Sequence, residues 1–329
     1  MADPVRKIIT TFTAFAEPIR RTAAEKGFGH IELAFADEEA EILALIGDAD
    51  VAQVGLFTPA IFRAGVRLRW VHAFSGGVNH VLFDEWVASP IPMSCIKPVF
   101  GTAGAEHALA MMLHFARRLH HLPHSAPMTQ WDWGYDGEDD PVDLDGATVG
   151  IVGLGTMGLA LADRAKLLGM GVLGLVRTPR AKPASVDGLF TPEQRAKVLG
   201  QADFVVLAVP ITAATEGMVN DEFLRQMQSS AFLIDCSGRP PLFVYPDLVE
   251  AVEQERIAGV ALQPGGVDQT LGTPPVDAPF WRNPKVVVSP CRGTSRQTTQ
   301  KGMDLFFENL RRFEAGEPLL GLVDKAAGY

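Results

Sequence analysis

The chain has 329 residues, 47% of them apolar and 21% charged, with a formal net charge of −10. That length suggests about two domains, and the composition is that of a globular protein with sizeable cores. The acidic balance argues against a nucleic-acid surface, which needs clustered Lys and Arg, so an anionic substrate has to be met by local cations.

Cys95, Cys236 and Cys291 lie far apart without a CxxC pair, which suggests neither a disulfide framework nor a zinc site and points to a reducing compartment. The N-terminal MADPVRKIITTF lacks the apolar core of a signal peptide. The longest uncharged run, between Asp145 and Asp163, is interrupted by five glycines and is not expected to span a membrane. The expectation is a cytoplasmic protein with no membrane partner.

In chain order, residues 1 to about 100 alternate helical and extended signals. Glu38–Ile46 reads as an amphipathic helix, Ala52–Phe57 and Leu68–Ala73 as strands, and Ala105–Arg117 as a long helix with few breakers. The acidic, turn-rich stretch Gly134–Pro141 reads as a solvated connection. From Val149 a regular βα alternation begins. It comprises a strand to Val152, a helix to Leu168, then Gly171–Val176, Phe204–Val209, a helix near Asp221–Met227, and Ala231–Asp235. A helix near Pro246–Glu255 and the strands Ala258–Leu262 and Lys285–Ser289 follow, and Thr298–Phe313 closes the chain as a helix. Such alternation predicts an α/β fold with a doubly wound parallel sheet.

The most specific motif is Gly153-x-Gly155-x-x-Gly158, set between the strand Val149–Val152 and a helix. In that context the first glycine permits a tight turn, the second lets backbone approach a pyrophosphate, and the third allows close helix–strand packing. The helix N-terminus, through Thr156, Met157 and Gly158, offers unpaired N–H groups and a positive dipole end to phosphates. A bound dinucleotide is the expectation.

Several segments together resemble the D-isomer-specific 2-hydroxyacid dehydrogenases, the family of formate, glycerate and glyoxylate reductases. They are Ser75-Gly-Gly-Val-Asn79, Gly104-Ala-Glu-His-Ala108, Leu144–Gly155, Ala202–Thr215 and the ending Val323–Tyr329, so the resemblance is nearly end to end. It implies two Rossmann-like domains: a flavodoxin-like substrate domain of residues 1–103 plus 297–329, and a doubly wound dinucleotide-binding domain of residues 104–296. The active site would lie in the cleft between them, and family members are commonly homodimers. Ser75, Gly76, Gly77 and Asn79 would form the substrate-carboxylate loop. Val209, Pro210, Thr215, Cys236, Ser237 and Gln263 would line the nicotinamide side of the cofactor.

Rossmann domains specific for NAD carry an acidic residue about 20 positions past the fingerprint for the ribose 2′-OH. Here Gly171–Val186 contains no carboxylate, and Arg177, Thr178 and Arg180 cluster instead, with Lys182 close behind. A guanidinium fork and a hydroxyl suit a 2′-phosphate, so NADP is favoured over NAD.

The family's catalytic set is altered. Arg239, expected to hold a substrate carboxylate, follows a one-residue insertion in Ile234-Asp-Cys-Ser-Gly-Arg239. The family Glu falls at Gly272 or Thr273, Gln263 replaces an Asp, and Asp268 is the carboxylate that could substitute for the missing Glu. Cys291 stands where the family has its acid/base His, with Arg292 beside it. Cys291 is open to three readings: a small space-filler in a site whose acid comes from elsewhere, a weak acid/base, or, sharing the last place, a covalent nucleophile or a member of an inert site. His72, His80 and the His120-His121-x-x-His124 group are read as structural or exposed, and no metal is expected.

The functional expectation is an NAD(P)-dependent oxidoreductase on a small 2-oxo or 2-hydroxy acid. The alternatives are an enzyme that retains its dinucleotide for a redox-neutral elimination or hydrolysis, and a non-catalytic dinucleotide-sensing protein.

Overall fold

Short apolar runs, each too brief to stand alone as a strand pair, form the sheets here because most of the inner strands are buried on both faces, while the edge strands Glu32–Phe35, Gly188–Phe190 and Val286–Val288 are only partly covered. The computed structural model describes residues 3–121, 140–237, 242–263, 272–289 and 294–329. The chain divides into two units, Met1–Phe100 with Ser295–Tyr329, and Gly101–Thr294.

The first unit contains β1 (Lys7–Thr10), α1 (Ala16–Glu25), β2 (Glu32–Phe35), α2 (Glu39–Leu45), β3 (Val51–Val54), α3 (Pro59–Ala64), β4 (Trp70–Ala73), α4 (Asp84–Val87) and β5 (Met93–Cys95). The second contains α5 (Gly101–Ala116), β6 (Thr148–Val152), α6 (Thr156–Leu167), β7 (Gly171–Leu175), β8 (Gly188–Phe190), α7 (Arg195–Leu199) and β9 (Phe204–Leu207). It continues with α8 (Asp221–Arg225), β10 (Phe232–Asp235), α9 (Tyr245–Glu253), β11 (Gly259–Leu262) and β12 (Val286–Val288). The long α10 (Arg296–Ala315) then belongs to the first unit again.

The sheets run β2-β1-β3-β4-β5 and β12-β11-β10-β9-β6-β7-β8, and every neighbouring pair is parallel. The strand order reverses between β1 and β3 in one sheet and between β6 and β9 in the other, the places where such folds bind ligands. Elements foreseen from sequence form with boundaries shifted by one to four residues. The short strands β1, β2, β5 and β8 carry no periodic signal long enough to announce them.

A common electrostatic device fixes strand register in both units. Asp50, just ahead of β3, accepts the N–H groups of Arg6 at 2.8 Å and Lys7 at 3.2 Å at the start of β1. Asp203, just ahead of β9, accepts the N–H of Thr148 at 2.7 Å, and Asp187, just ahead of β8, that of Val172 at 2.8 Å. Each carboxylate satisfies a strand-end donor and locks its neighbour in place.

The first unit also buries a polar row. Thr10, Gln53, His72 and Ser94 stand opposite one another on β1, β3, β4 and β5. Thr10 Oγ1 donates to Gln53 Oε1 at 2.9 Å, Trp70 Nε1 donates to Ser94 Oγ at 2.9 Å, and Ser94 Oγ lies 2.7 Å from His72 Nδ1. The imidazole packs against Phe306 of α10, with its Nε2 unpartnered. Complete burial drives the His72 pKa down to about 3.

The unfolded imidazole titrates near 6.5, so the unfolded chain takes up a proton that the folded one refuses. Stability is therefore full above pH 6.5 and declines as the pH falls toward 3, with a slope approaching about 1.4 kcal/mol per pH unit for this one proton. In urea midpoints measured across that window, His72→Gln should show a shallower decline than the parent protein.

Candidate dinucleotide and anion sites

Three glycines shape the β6–α6 turn, each for a different reason. Gly153 has φ +98°, and a side chain there would also crowd the Ala208 backbone. Gly158 lies so close under the turn that a β-carbon would run into the Gly153 carbonyl. Gly155 is different: no described atom lies within 4 Å of the position its β-carbon would take. The fold does not require glycine there, whereas a ligand pressed against the backbone does. Gly155 is the N-cap of α6, so the first amides of a twelve-residue helix open onto that empty space. This geometry fits the pyrophosphate of a dinucleotide.

The helix start is held from behind by α5. Side chains at Gly101 and Gly104 would press on Thr156 and Met157, so these two glycines let α5 lie directly against α6. The ring of Phe115 on α5 stacks 4.6 Å from that of Phe232 on β10 and anchors α5 to the sheet.

Beyond β7, Arg177, Thr178, Arg180 and Lys182 are exposed. Arg180 is tethered: its Nη2 donates to the Leu154 carbonyl at 2.6 Å, inside the glycine turn itself. Lys182 Nζ donates to the Val186 carbonyl at 2.6 Å. A pocket of about 440 Å³ adjoins this loop, walled by Val176, Pro179, Arg180, Lys182, Phe190 and Thr191. The next carboxylate, Asp187, is occupied by the Val172 N–H and by Lys166 at 3.0 Å, which together hold its pKa below the ordinary carboxylate range.

At the opposite end of the strand edge, Thr215 Oγ1 donates to the Pro210 carbonyl at 2.8 Å and accepts the Thr212 N–H at 2.9 Å, which sets the Val209–Thr215 turn. Asp235, at the end of β10, is a buried carboxylate that sequence reasoning passed over. It accepts the Ser237 N–H at 2.8 Å and the Gln263 N–H at 3.4 Å, and so ties the ends of β10 and β11 together. The one sequence signal was a charge closing the apolar strand Phe-Leu-Ile-Asp. Burial first, then the Asp235 charge, pushes the Cys236 thiol up, and the same two causes raise Tyr245 to about 12. Neither group ionises near neutral pH.

In the first unit, the loop Ser75–Asn79 follows β4 directly. Ser75 Oγ donates to the Gly77 carbonyl at 2.7 Å, so the loop closes on itself. The N–H groups of Gly76, Gly77 and Val78 meet no acceptor among the described residues. Asn79 and His80 are exposed in a short 3-10 turn, whereas His72 belongs to the buried row. Arg239, Asp268, Cys291, Arg292 and His124 lie outside the described residues. Among the described residues, no group of three His, Cys, Asp or Glu side chains is arranged to hold a metal, and no helix is long and apolar enough to cross a membrane.

Comparison with known proteins agrees with this geometry. Residues 109–293 match the family description "D-isomer specific 2-hydroxyacid dehydrogenase, NAD binding domain". A glyoxylate reductase of Thermococcus kodakarensis is 30% identical over 318 residues, covering 90% of this chain and 91% of that one. The solved D-isomer-specific 2-hydroxyacid dehydrogenase of Xanthobacter autotrophicus Py2, in complex with NADPH and MES, superposes with a TM-score of 0.83 at 24% identity, over 99% of this chain and 100% of that one. An NADPH-dependent glyoxylate/hydroxypyruvate reductase of Sinorhizobium meliloti, with NADP and sulfate, gives 0.81 at 23% identity, covering 98% and 100%.

The distinct roles of the glycines separate folding from binding. Gly155→Val should leave the thermal midpoint within a few degrees of the parent while abolishing dinucleotide binding, measured by fluorescence titration. Gly158→Ala should lower the midpoint itself, because the helix must move off the strand.

Proposed function

The chain belongs to the D-isomer-specific 2-hydroxyacid dehydrogenase family, and on that premise we propose an oxidoreductase that prefers NADP(H) and acts on a small 2-oxo or 2-hydroxy acid or a related carbonyl. The observation that carries the cofactor preference is the tethered Arg180. It brings a guanidinium to the glycine turn, on a loop with no carboxylate to accept a ribose 2′-OH. Arg177 and Thr178 share that loop. The relatives crystallised with NADPH or NADP support the same reading.

Gly153, Gly155, Thr156, Met157 and Gly158 would hold the pyrophosphate, and Val209, Pro210, Thr215, Cys236, Ser237 and Gln263 the nicotinamide half. When bound, the nicotinamide supplies or accepts the hydride. The Gly76, Gly77 and Val78 amides, which meet no acceptor among the described residues, and the Arg239 guanidinium would orient the substrate carboxylate, and a fixed orientation is worth several kcal/mol in such a reaction. Glyoxylate and hydroxypyruvate, named for the relatives, are the first substrates to try. A homodimer in solution is part of this proposal.

The proton is the unusual part. Cys291, and Gly272 or Thr273, stand at the positions where the family's His and Glu would be, and loss of a general acid/base costs about 10²–10⁴ in rate. We therefore expect slow turnover of 2-oxo acids with NADPH, raised by Cys291→His and left unchanged by Cys291→Ser if sulfur takes no part. The same substitution pattern motivates a second reading, a chain that binds the dinucleotide for a redox-neutral reaction or as a sensor. Tight NADPH binding with no turnover across a 2-oxo and 2-hydroxy acid panel would favour it. For the cofactor, Arg180→Ala should weaken NADPH about 10- to 150-fold, corresponding to about 1.5–3 kcal/mol for a hydrogen bond to a charged group, and leave NADH nearly unaffected.

A further inference from the structure

We propose that Phe100 is a positioning residue for the substrate-carboxylate loop Ser75–Asn79, and that the C-terminal segment holds Phe100 in that role. The inference rests on the reading of this loop as an anion cradle.

Gly76 and Gly77 would suit an anion because bare amides can approach it, yet the structure supplies another reason for one of them. Neither has a left-handed φ, so no backbone conformation calls for glycine. A β-carbon on Gly76 would instead come within 3.1 Å of both Cδ2 and Cε2 of Phe100. The loop backbone lies against the Cδ2–Cε2 side of that ring, so a side chain at Gly76 would force the ring to give way by a few tenths of an ångström.

A second aromatic ring and a second glycine fix the loop's other end. Phe74, immediately before Ser75, fits against Gly302 of α10, where a β-carbon would lie 2.9 Å from the ring tip, and its ring sits 5.3 Å from that of Phe12. The Ser75–Gly77 hydrogen bond closes the loop between these two supports. Three amides without acceptors among the described residues are thus held on a rigid seat, the preorganisation that anion binding needs.

Phe100 ends the 3-10 turn Lys97–Phe100, which is pinned from the far side by the chain's last residues. The Cys95 N–H donates to the Gly321 carbonyl at 2.9 Å, and the Val323 N–H donates to the Met93 carbonyl at 2.8 Å. Lys97 Nζ donates to the Leu322 carbonyl at 3.4 Å. Gly321, with φ +65°, lies over Pro98, 3.1 Å from its Cδ were a β-carbon present. Further on, Lys325 Nζ donates to the carbonyls of Trp86, Ser89 and Ile91 at 2.9, 2.6 and 2.9 Å, and this fastens the segment down. The order of support is tail, turn, ring, loop.

The test uses the full-length protein with glyoxylate as substrate and oxalate as competing anion. Phe100→Ala should raise the KM for glyoxylate and the Ki for oxalate about tenfold each, the scale of a small misplacement of binding groups. The NADPH Kd, set in the other unit, should stay within about twofold, and kcat should change less than KM. Phe100→Leu should fall between, and Phe100→Tyr, which keeps the ring, should restore parental values.

Gly76→Ala should be costly alone and much less so combined with Phe100→Leu, because the methyl then has room; that non-additivity marks direct contact. Unchanged KM and Ki in Phe100→Ala and Phe100→Leu, or additive effects in the double variant, would overturn the proposal. If the parent neither reduces glyoxylate nor binds oxalate, the anion-cradle reading itself falls and takes this inference with it, an outcome distinct from a normal parent with indifferent variants.

Discussion

The close approach of α6 to β6 is the constraint on which the second unit depends. Gly158 lies directly beneath the Gly153 carbonyl, and that contact sets the angle at which the helix leaves the sheet. The angle in turn leaves the amide end of α6 facing open space beside Gly155 and brings Leu154 to where Arg180 can reach its carbonyl. The direction of the helix, its open amide end and the placing of the cation loop therefore follow from one van der Waals contact between two glycines. No side chain larger than hydrogen can hold it.

Both units solve the same problem of aligning short parallel strands, and they solve it electrostatically. A strand of three to five residues makes too few ladder bonds to define its own register. Asp50, Asp187 and Asp203 each add a charge-assisted bond to an amide at the start of a neighbouring strand. Asp235 does related work at the opposite, functional end of the sheet, where it joins the segments that follow β10 and β11. Carboxylates at strand starts fix register, and the one at a strand end ties together the segments that leave β10 and β11.

The parts of this molecule that were legible in its amino-acid order are those whose cause is local. The glycine fingerprint could be read because its spacing and the strand and helix that flank it lie within one short stretch of chain, and the absence of a carboxylate from Gly171 to Val186 is a statement about one loop. The strands β1 and β8 were not legible: Lys7–Thr10 and Gly188–Phe190 are too short for any period and become strands by pairing with partners distant in the chain. Asp235 was missed for a similar reason, since a single carboxylate has no pattern and its role arises from Gln263, 28 residues later. Gly76 was noticed for the right residue type with half of its reason, because Phe100 touches it only once the chain has folded. Arg239 and Cys291, on which the proposed chemistry turns, lie outside the described residues.

The tail has a consequence unrelated to substrate. Leu322 pairs antiparallel with Ser94, so residues 321–323 lie along the open side of β5, the last strand of its sheet. Without them that strand would show bare amides and carbonyls to solvent, a ready template for another copy of the chain. Residues 321–323 thus shield the β5 edge from strand-to-strand pairing with another copy, and a chain released before they are in place is exposed to aggregation along that flank.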